Sequence, residues 1–392
     1  MLGLVLEGGG AKGSYHAGAY KVLYEKGYKF DGVMGASIGA VNGAMIAQGA
    51  EEKCFELWEN VAPSKFSDFD DEKLQNFFNR KYDRKTVFYL LKVIKDVIFN
   101  RGIPTDKVKL LLQELIDEDA LRESQTDFGL VTVSLTDRMP MEIFKEEIPY
   151  GMLHDYIMAS AYFPAFRIDP IQGKKYLDGG AYDNLPINPL IRRGYDEIIA
   201  IRTLSNMPHQ RVVDDTVKIT YIIPSDDIGG TMSVYSKSIE KNIKMGYFDA
   251  LRVLENHKGE KYYFYDMKDS DFKDFLLSLD EEIYSEWAEL FDLEKDAPKS
   301  EILKRVFSLL RKELKLKHIF RDYEIFIYFL EKYAKKSDIE KFVLYNIHNF
   351  LSRLKEYYNK KNSEKRRSEH LKSIFFGSAA DDIYFSLIKN YK

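Results

Sequence analysis

A serine framed by glycines stands early in this chain, in the run Gly35-Ala36-Ser37-Ile38-Gly39. The spacing G-x-S-x-G follows a short apolar run with Val33 and Met34. It precedes a series of small residues, Ala40, Gly43, Ala44 and Ala47. That order fits a strand, a sharp turn and a thin helix packed close to a sheet. Such a turn holds a serine hydroxyl exposed at a strand end, where it can attack a carbonyl carbon. The amide of the next residue, Ile38, is then placed to donate to the oxyanion that develops. Serine is a poor nucleophile until a base takes its proton, so the question is which residue does so.

The chain has His16, His154, His209, His257, His318, His348 and His370. None stands in a glycine-supported loop at a strand end, and His16, inside the helix after the first strand, reads as a packing or hydrogen-bonding residue. Asp178 is the better candidate. In Leu177-Asp178-Gly179-Gly180 a carboxylate follows a short strand, with glycines that permit close backbone approach. An aspartate at its ordinary pKa of about 3.9 is a weak base at neutral pH. Desolvation would strengthen it.

A second glycine cluster, Gly8-Gly9-Gly10-Ala11-Lys12-Gly13, ends the apolar run Leu2 to Leu6. It admits three chemistries. The spacing G-x-G-x-x-G after a strand suits a dinucleotide, but such folds need an acidic residue near the end of the second strand. Here that end carries Ser37, and Asp31 stands at the other end. A phosphate-binding loop of the nucleotide triphosphatases needs its lysine after the last glycine, whereas Lys12 precedes Gly13. In the third, successive glycine amides form an oxyanion hole, with no side chain in the way of a substrate oxygen.

Taken in order, the Gly8–Gly13 loop, the Gly35–Gly39 turn and Asp178-Gly179-Gly180 resemble the patatin-like phospholipase family, especially its bacterial members. Ala159-Ser160-Ala161-Tyr162-Phe163-Pro164-Ala165-Phe166 and Asn184-Leu185-Pro186 resemble the segments that the family carries around its aspartate. The resemblance covers Leu2 to Leu190 and continues faintly to Gly246-Tyr247-Phe248-Asp249-Ala250. It implies a serine–aspartate dyad with no catalytic histidine: Ser37 as nucleophile and Asp178 as base. Gly8, Gly9 and Gly10 would line the oxyanion hole with Ile38. Gly13, Gly35, Gly39, Gly179 and Gly180 would support the turns. Lys12 holds a position where the family carries a basic residue, and is expected in a structural ion pair or near an anionic headgroup. The implied activity is hydrolysis of lipid esters, of the phospholipase A or lysophospholipase kind, through a serine acyl-enzyme and with no metal or cofactor. The rival readings are a dinucleotide-dependent enzyme and a non-hydrolytic regulatory protein on the same scaffold.

The elements that must position these residues read as an α/β chain, a three-layer α/β/α sandwich with a mainly parallel sheet. Strands are expected at Leu2–Leu6, Val33–Met34, Leu130–Leu135, Met141–Phe144, Tyr176–Leu177, Glu197–Arg202, Ile219–Ile223 and Tyr262–Tyr265. Helices are expected at Tyr15–Glu25, Glu51–Asn60, after an N-cap at Thr105, at Leu153–Ser160, Pro186–Arg193 and Ser236–Glu255. Arg84–Asn100 is amphipathic with a broad apolar surface, suited to a core helix, a cover over an apolar pocket or a face that meets membrane. Beyond Asp269 strand signals fade and long helical patterns at Ser300–Lys315, Tyr323–Lys335 and Ile339–Tyr358 take over. These observations predict an acyl hydrolase domain over 1–267 and an α-helical region over 268–392.

Composition narrows the partners. A net charge of −4 argues against a nucleic-acid binder, which would carry a basic excess. One cysteine, Cys54, excludes an intramolecular disulfide and a cysteine zinc site. No apolar run approaches the ~18 residues that a membrane-spanning helix requires, and Met1 leads straight into the first strand. A cytoplasmic enzyme acting on lipid or fatty-acyl ester substrates, with transient contact at a membrane surface, is the expectation.

Overall fold

The first strand, β1 (Leu2–Leu6), is apolar and buried along nearly its whole length, as befits a strand covered on both faces of a parallel sheet. The computed structural model describes residues 1–61, 103–162, 166–232, 236–316, 320–335, 337–365 and 378–391. The amphipathic stretch Arg84–Asn100 lies outside them. The described residues fall into two compact units, Met1–Val253 and Leu254–Lys392.

In the first unit β1 is flanked by β2 (Gly32–Ala36) and β6 (Glu197–Ile201). The sheet runs β4 (Met139–Phe144), β3 (Asp127–Ser134), β2, β1, β6, β7 (Lys218–Ile222), and β5 (Tyr176–Asp178) pairs with β3. The pairs β3–β2, β2–β1, β1–β6 and β6–β7 are parallel, while β4 and β5 run antiparallel to β3. The chain therefore winds outward from β1 in both directions. The crevice beyond the carboxyl ends of β1, β2 and β6 is where such sheets hold their ligands.

Helices cover both faces. Helix α1 (Gly13–Glu25) follows the glycine loop and α2 (Ile38–Ala47) follows the serine turn. Gly43 lets α2 settle on one face: a Cβ there would stand 3.0 Å from Val33 Cγ1. On the other face Val5, Met34 and Ile198 pack with Leu190, which lies on a short helix at Asn188–Arg192. This is the sandwich that the sequence predicts.

Several local expectations are corrected. Thr105 does precede the helix Asp106–Leu115, but its hydroxyl donates to Asp169 at 3.1 Å instead of capping. In the helix expected over Pro186–Arg193, Pro189 stands in the first turn, with Pro186 upstream. The predicted helix Ile339–Tyr358 starts late: Leu344–Tyr345 (β9) pairs in parallel with Tyr263–Phe264 (β8), and the helix runs Ile347–Lys365. That pairing also places the division between units before β8, and not near Met267. Tyr262 and Phe264 join Phe272, Trp287, Phe326 and Phe350 in the core of the second, mainly helical unit. Its other helices include Asp269–Leu277, Glu281–Leu290, Lys299–Glu313, Asp322–Ala334 and Ala379–Asn390.

Candidate active site

Ser37 is the hinge between β2 and α2. Its backbone sits at φ 54° and ψ −126°, a conformation that L-residues seldom adopt, at a cost on the order of 1–3 kcal/mol. The neighbouring glycines make the turn feasible. A Cβ on Gly35 would lie 2.3 Å from the Gly39 carbonyl, and one on Gly39 would lie 2.2 Å from the Leu6 carbonyl oxygen. The Ser37 N–H is held by Ser160 Oγ at 3.0 Å, from the buried end of the helix Leu153–Ser160. Nothing in the sequence spacing connects those two residues.

The Ser37 hydroxyl donates to Asp178 Oδ2 at 2.7 Å, and the other carboxylate oxygen accepts the Gly180 N–H at 2.8 Å. Sheet register brings the two residues together. β2 ends at the pair Ala36–Val131, and β5 takes over alongside β3 with the pair Asp178–Thr132. The close fit needs Gly179, where a Cβ would stand 2.0 Å from the Val131 carbonyl oxygen. Burial is the main influence on Asp178 and pushes its pKa up to about 6, against the lowering effect of the Ser37 and Gly180 hydrogen bonds. A carboxylate of this strength is a far better proton acceptor than one at its ordinary value.

The glycine loop lies against this pair: a Cβ on Gly8 would stand 3.2 Å from Ser37 Cβ. Its amides are not equivalent. The Gly8 N–H already donates to the Asn184 carbonyl at 3.0 Å, which corrects the expectation that it lines an oxyanion hole. The N–H groups of Gly9, Gly10 and Ile38 have no hydrogen-bond partner among the described residues. Gly10 adopts φ 57°, and a Cβ there would meet the Thr231 carbonyl at 2.5 Å. Gly13 admits Ile38: a Cβ would stand 2.6 Å from its Cγ1.

Beneath the loop, Glu7 is fully buried. Its carboxylate accepts from Arg202 Nε, from the backbone N–H of Thr203, Leu204 and Ser205, and from Asn184 Nδ2. Lys12 donates to the Thr203 carbonyl at 3.3 Å, and no carboxylate pairs with it among the described residues. The expected ion pair is therefore not found there.

The histidines stand apart. His16 is buried, and desolvation holds its pKa down at about 3. Its Nδ1 meets Asn42 Nδ2 at 3.4 Å, and Asn42 in turn accepts from Trp58 Nε1. His154 bonds the Ile116 carbonyl and His348 the Tyr391 hydroxyl. His318 and His370 lie outside the described residues. Among the described residues no histidine contacts Ser37 or Asp178. Asp31, the acid a dinucleotide would need, stands before β2 and accepts the Leu2 N–H at 2.7 Å, at the opposite end of the sheet from the glycine loop.

The fold and this geometry define a class: an α/β chain with an elbow serine bonded to an aspartate beside unoccupied glycine amides. Residues 4–191 of the chain match the model of the patatin-like phospholipase family. It is 29% identical over 202 residues to a putative patatin-like phospholipase domain-containing protein of Caenorhabditis elegans, covering 51% of this chain and 16% of that protein. It is 28% identical over 243 residues to the lysophospholipase nte1 of Aspergillus fumigatus, covering 60% of this chain and 13% of that protein. With the uncharacterized protein YqhO of Bacillus subtilis it shares 29% identity over 203 residues, covering 47% of this chain and 64% of that one. The chain thus spans less than two thirds of the length of each of these relatives.

Proposed function

We propose that this chain is a serine acyl hydrolase that cleaves carboxylic esters of lipids, and that the unit Met1–Val253 carries the chemistry. One observation carries the reading: the 2.7 Å hydrogen bond from Ser37 Oγ to a buried Asp178 whose pKa burial raises to about 6. Asp178 accepts the hydroxyl proton as Ser37 Oγ bonds to the ester carbon. The carbonyl oxygen takes the negative charge and is met by the free amides of Gly9, Gly10 and Ile38. Collapse of the tetrahedral intermediate breaks the bond to the leaving alcohol, which takes the proton from Asp178. Water then attacks the acyl-enzyme, Asp178 takes its proton, and the released Ser37 oxygen recovers it with the free acid.

The match to the patatin-like phospholipase model supports lipid esters as the substrate class, and the lysophospholipase among the relatives supports lysophospholipids as a first choice. Lys12, a cation beside the glycine loop with a carbonyl as its partner, suits a substrate with an anionic headgroup. Such substrates lie in membranes or micelles, so transient contact with a lipid surface belongs to the same reading. Among the described residues no helix is long and apolar enough to cross a membrane. A single buried thiol, Cys54, suits a reducing, cytoplasmic setting, which cell fractionation tests.

The decisive experiment is labelling with a fluorophosphonate, followed by hydrolysis of nitrophenyl esters and lysophospholipids. Labelling and turnover in the wild type, no labelling in Ser37→Ala and severe loss of turnover in Asp178→Asn are expected. Undiminished hydrolysis by Ser37→Ala would overturn the mechanism.

A further inference from the structure

The peptide between Gly8 and Gly9 is clamped from one side. Its carbonyl oxygen accepts the Thr203 hydroxyl at 2.6 Å and Asn184 Nδ2 at 3.3 Å. Across a planar trans peptide the carbonyl of one residue and the N–H of the next point in opposite directions. Fixing the Gly8 carbonyl therefore fixes the Gly9 N–H on the other side, and that N–H is one of the amides left free. Both clamping side chains are buried.

The clamp is itself anchored. Thr203 stands two residues beyond the end of β6, its backbone N–H donates to Glu7 Oε2 at 2.8 Å, and its carbonyl accepts Lys12 Nζ. Asn184 is fixed through its backbone: its carbonyl takes the Gly8 N–H, and its own N–H donates to the Pro208 carbonyl at 2.8 Å. The fit around the loop is tight, since a Cβ on Gly9 would stand 2.8 Å from Thr203 Oγ1 and one on Gly8 would stand 2.2 Å from Asn184 Oδ1.

We infer that Thr203 and Asn184 are positioning residues that aim the Gly9 N–H at the oxyanion, a role that rests on the acyl-hydrolase reading above. Neither touches the reacting atoms. Each acts through the peptide plane, and a carbonyl that accepts two hydrogen bonds also polarises the N–H at the far end of its peptide. The contribution therefore belongs to the transition state, where charge appears on the substrate oxygen, and not to ester binding.

The test uses Thr203→Val, which keeps the shape and removes the donor, and Thr203→Ser, which keeps the donor. With a nitrophenyl ester, Thr203→Val should lower kcat by about tenfold to a hundredfold, less than or equal to the loss of a whole oxyanion donor. KM should change by less than about twofold, because uniform binding is untouched. Thr203→Ser should recover most of the rate. The acid limb of the pH profile should stay where the wild type has it, because Asp178 does not touch Thr203. Asn184→Ala, alone and combined with Thr203→Val, gives the second measurement: two clamps on one peptide should show a non-additive double-mutant cycle. A folded Thr203→Val enzyme with wild-type kcat overturns the inference, as does a Thr203→Ser enzyme as impaired as the valine variant. If Thr203→Val fails to fold, the Asn184→Ala variant decides: a wild-type kcat there overturns the inference, and a reduced kcat with unchanged KM supports it. Ser37→Ala run in parallel separates the two readings, since an active alanine variant removes the serine mechanism itself, whereas an inactive one beside an unaffected Thr203→Val removes the clamp alone.

Discussion

Asp178 lies opposite Thr132 on β3, one register position beyond the Val131–Ala36 pair at which β2 stops. β5 thus continues the place in the sheet that β2 vacates, and the residue following β2 is Ser37. A separation of 141 positions in the chain becomes a hydrogen bond of 2.7 Å. The carboxylate reaches the hydroxyl through strand register, so the sheet itself sets the geometry of the pair.

The first prediction concerns pH. Asp178 must be ionised to accept the Ser37 proton, and burial raises its pKa to about 6. kcat/KM should therefore rise with pH through an inflection near 6 and level off above it. A rate profile on a soluble ester from pH 4.5 to 8 checks this. An inflection near 4, the ordinary carboxylate value, would show that Asp178 is solvated in the working enzyme. His16, held neutral at a pKa of about 3 by burial, would add no inflection above pH 5.

The second prediction turns the same shift into stability. The native state holds the Asp178 proton more tightly than the unfolded chain does, with 3.8 raised to about 6. The contribution of Asp178 to stability is therefore fully present below the unfolded value and is lost as pH rises through the window from about 4 to 6. The difference corresponds to at most about 3 kcal/mol above pH 6. Asp178→Asn removes the ionisation while keeping an acceptor for Gly180. The inactive variant should match or slightly undercut the wild type at pH 4 and exceed it in denaturant stability at pH 8. A stability difference independent of pH would contradict the assignment.

Much of this site is legible in the sequence because it is local. A strand that runs into glycines and then into a helix is written in consecutive residues, and both turns at Gly8–Gly13 and Gly35–Gly39 are such units. The mainly parallel sheet follows from the same short, fully apolar runs. What the chain does not reveal is set by contacts across the fold. Ser160, Asn184 and Thr203 meet the turns only through tertiary packing, and no spacing rule links them to Ser37 or Gly8. Gly8 reads as an oxyanion donor like its neighbours until the Asn184 carbonyl is seen to occupy its amide. The Ile339–Tyr358 pattern reads as one helix because periodicity says nothing of β8. Pairing of Leu344–Tyr345 with Tyr263–Phe264 overrides its first residues and moves the division between units with it.

A third prediction tests the serine turn itself. Alanine at Gly39 would place a methyl group 2.2 Å from the Leu6 carbonyl oxygen, which is strand backbone and cannot yield. Gly39→Ala should destabilise the fold by about 2–4 kcal/mol and abolish labelling of Ser37. Gly27→Ala is the control: the glycine has φ 76°, and a methyl group added there would meet nothing within 4 Å. It should cost about 1 kcal/mol from backbone strain alone and leave activity intact. Urea unfolding of the three proteins gives the comparison. A loss in Gly39→Ala no larger than that in Gly27→Ala would mean that the approach of α2 to β1 does not decide the requirement for glycine at the turn.

The fourth prediction isolates Ser160. Its hydroxyl accepts the N–H of Ser37, a residue held at φ 54°. The bond therefore satisfies an amide in a strained turn and ties the backbone of Ser37 to the helix Leu153–Ser160. Ser160→Ala leaves the N–H without its acceptor and removes a restraint on the nucleophile. The helix Leu153–Ser160 ends at this residue, so alanine is well tolerated by the backbone, and the melting temperature should fall by only a few degrees. The rate of fluorophosphonate labelling should fall by about tenfold, because an attacking atom displaced from its near-attack position loses rate before it loses binding. Ser160→Thr keeps the acceptor oxygen and should restore labelling to near the wild-type rate if the added methyl group is accommodated, which its melting temperature reports. Normal labelling by a folded Ser160→Ala protein would mean that Gly35 and Gly39 suffice to hold Ser37, and that the bond from the helix only satisfies a buried amide.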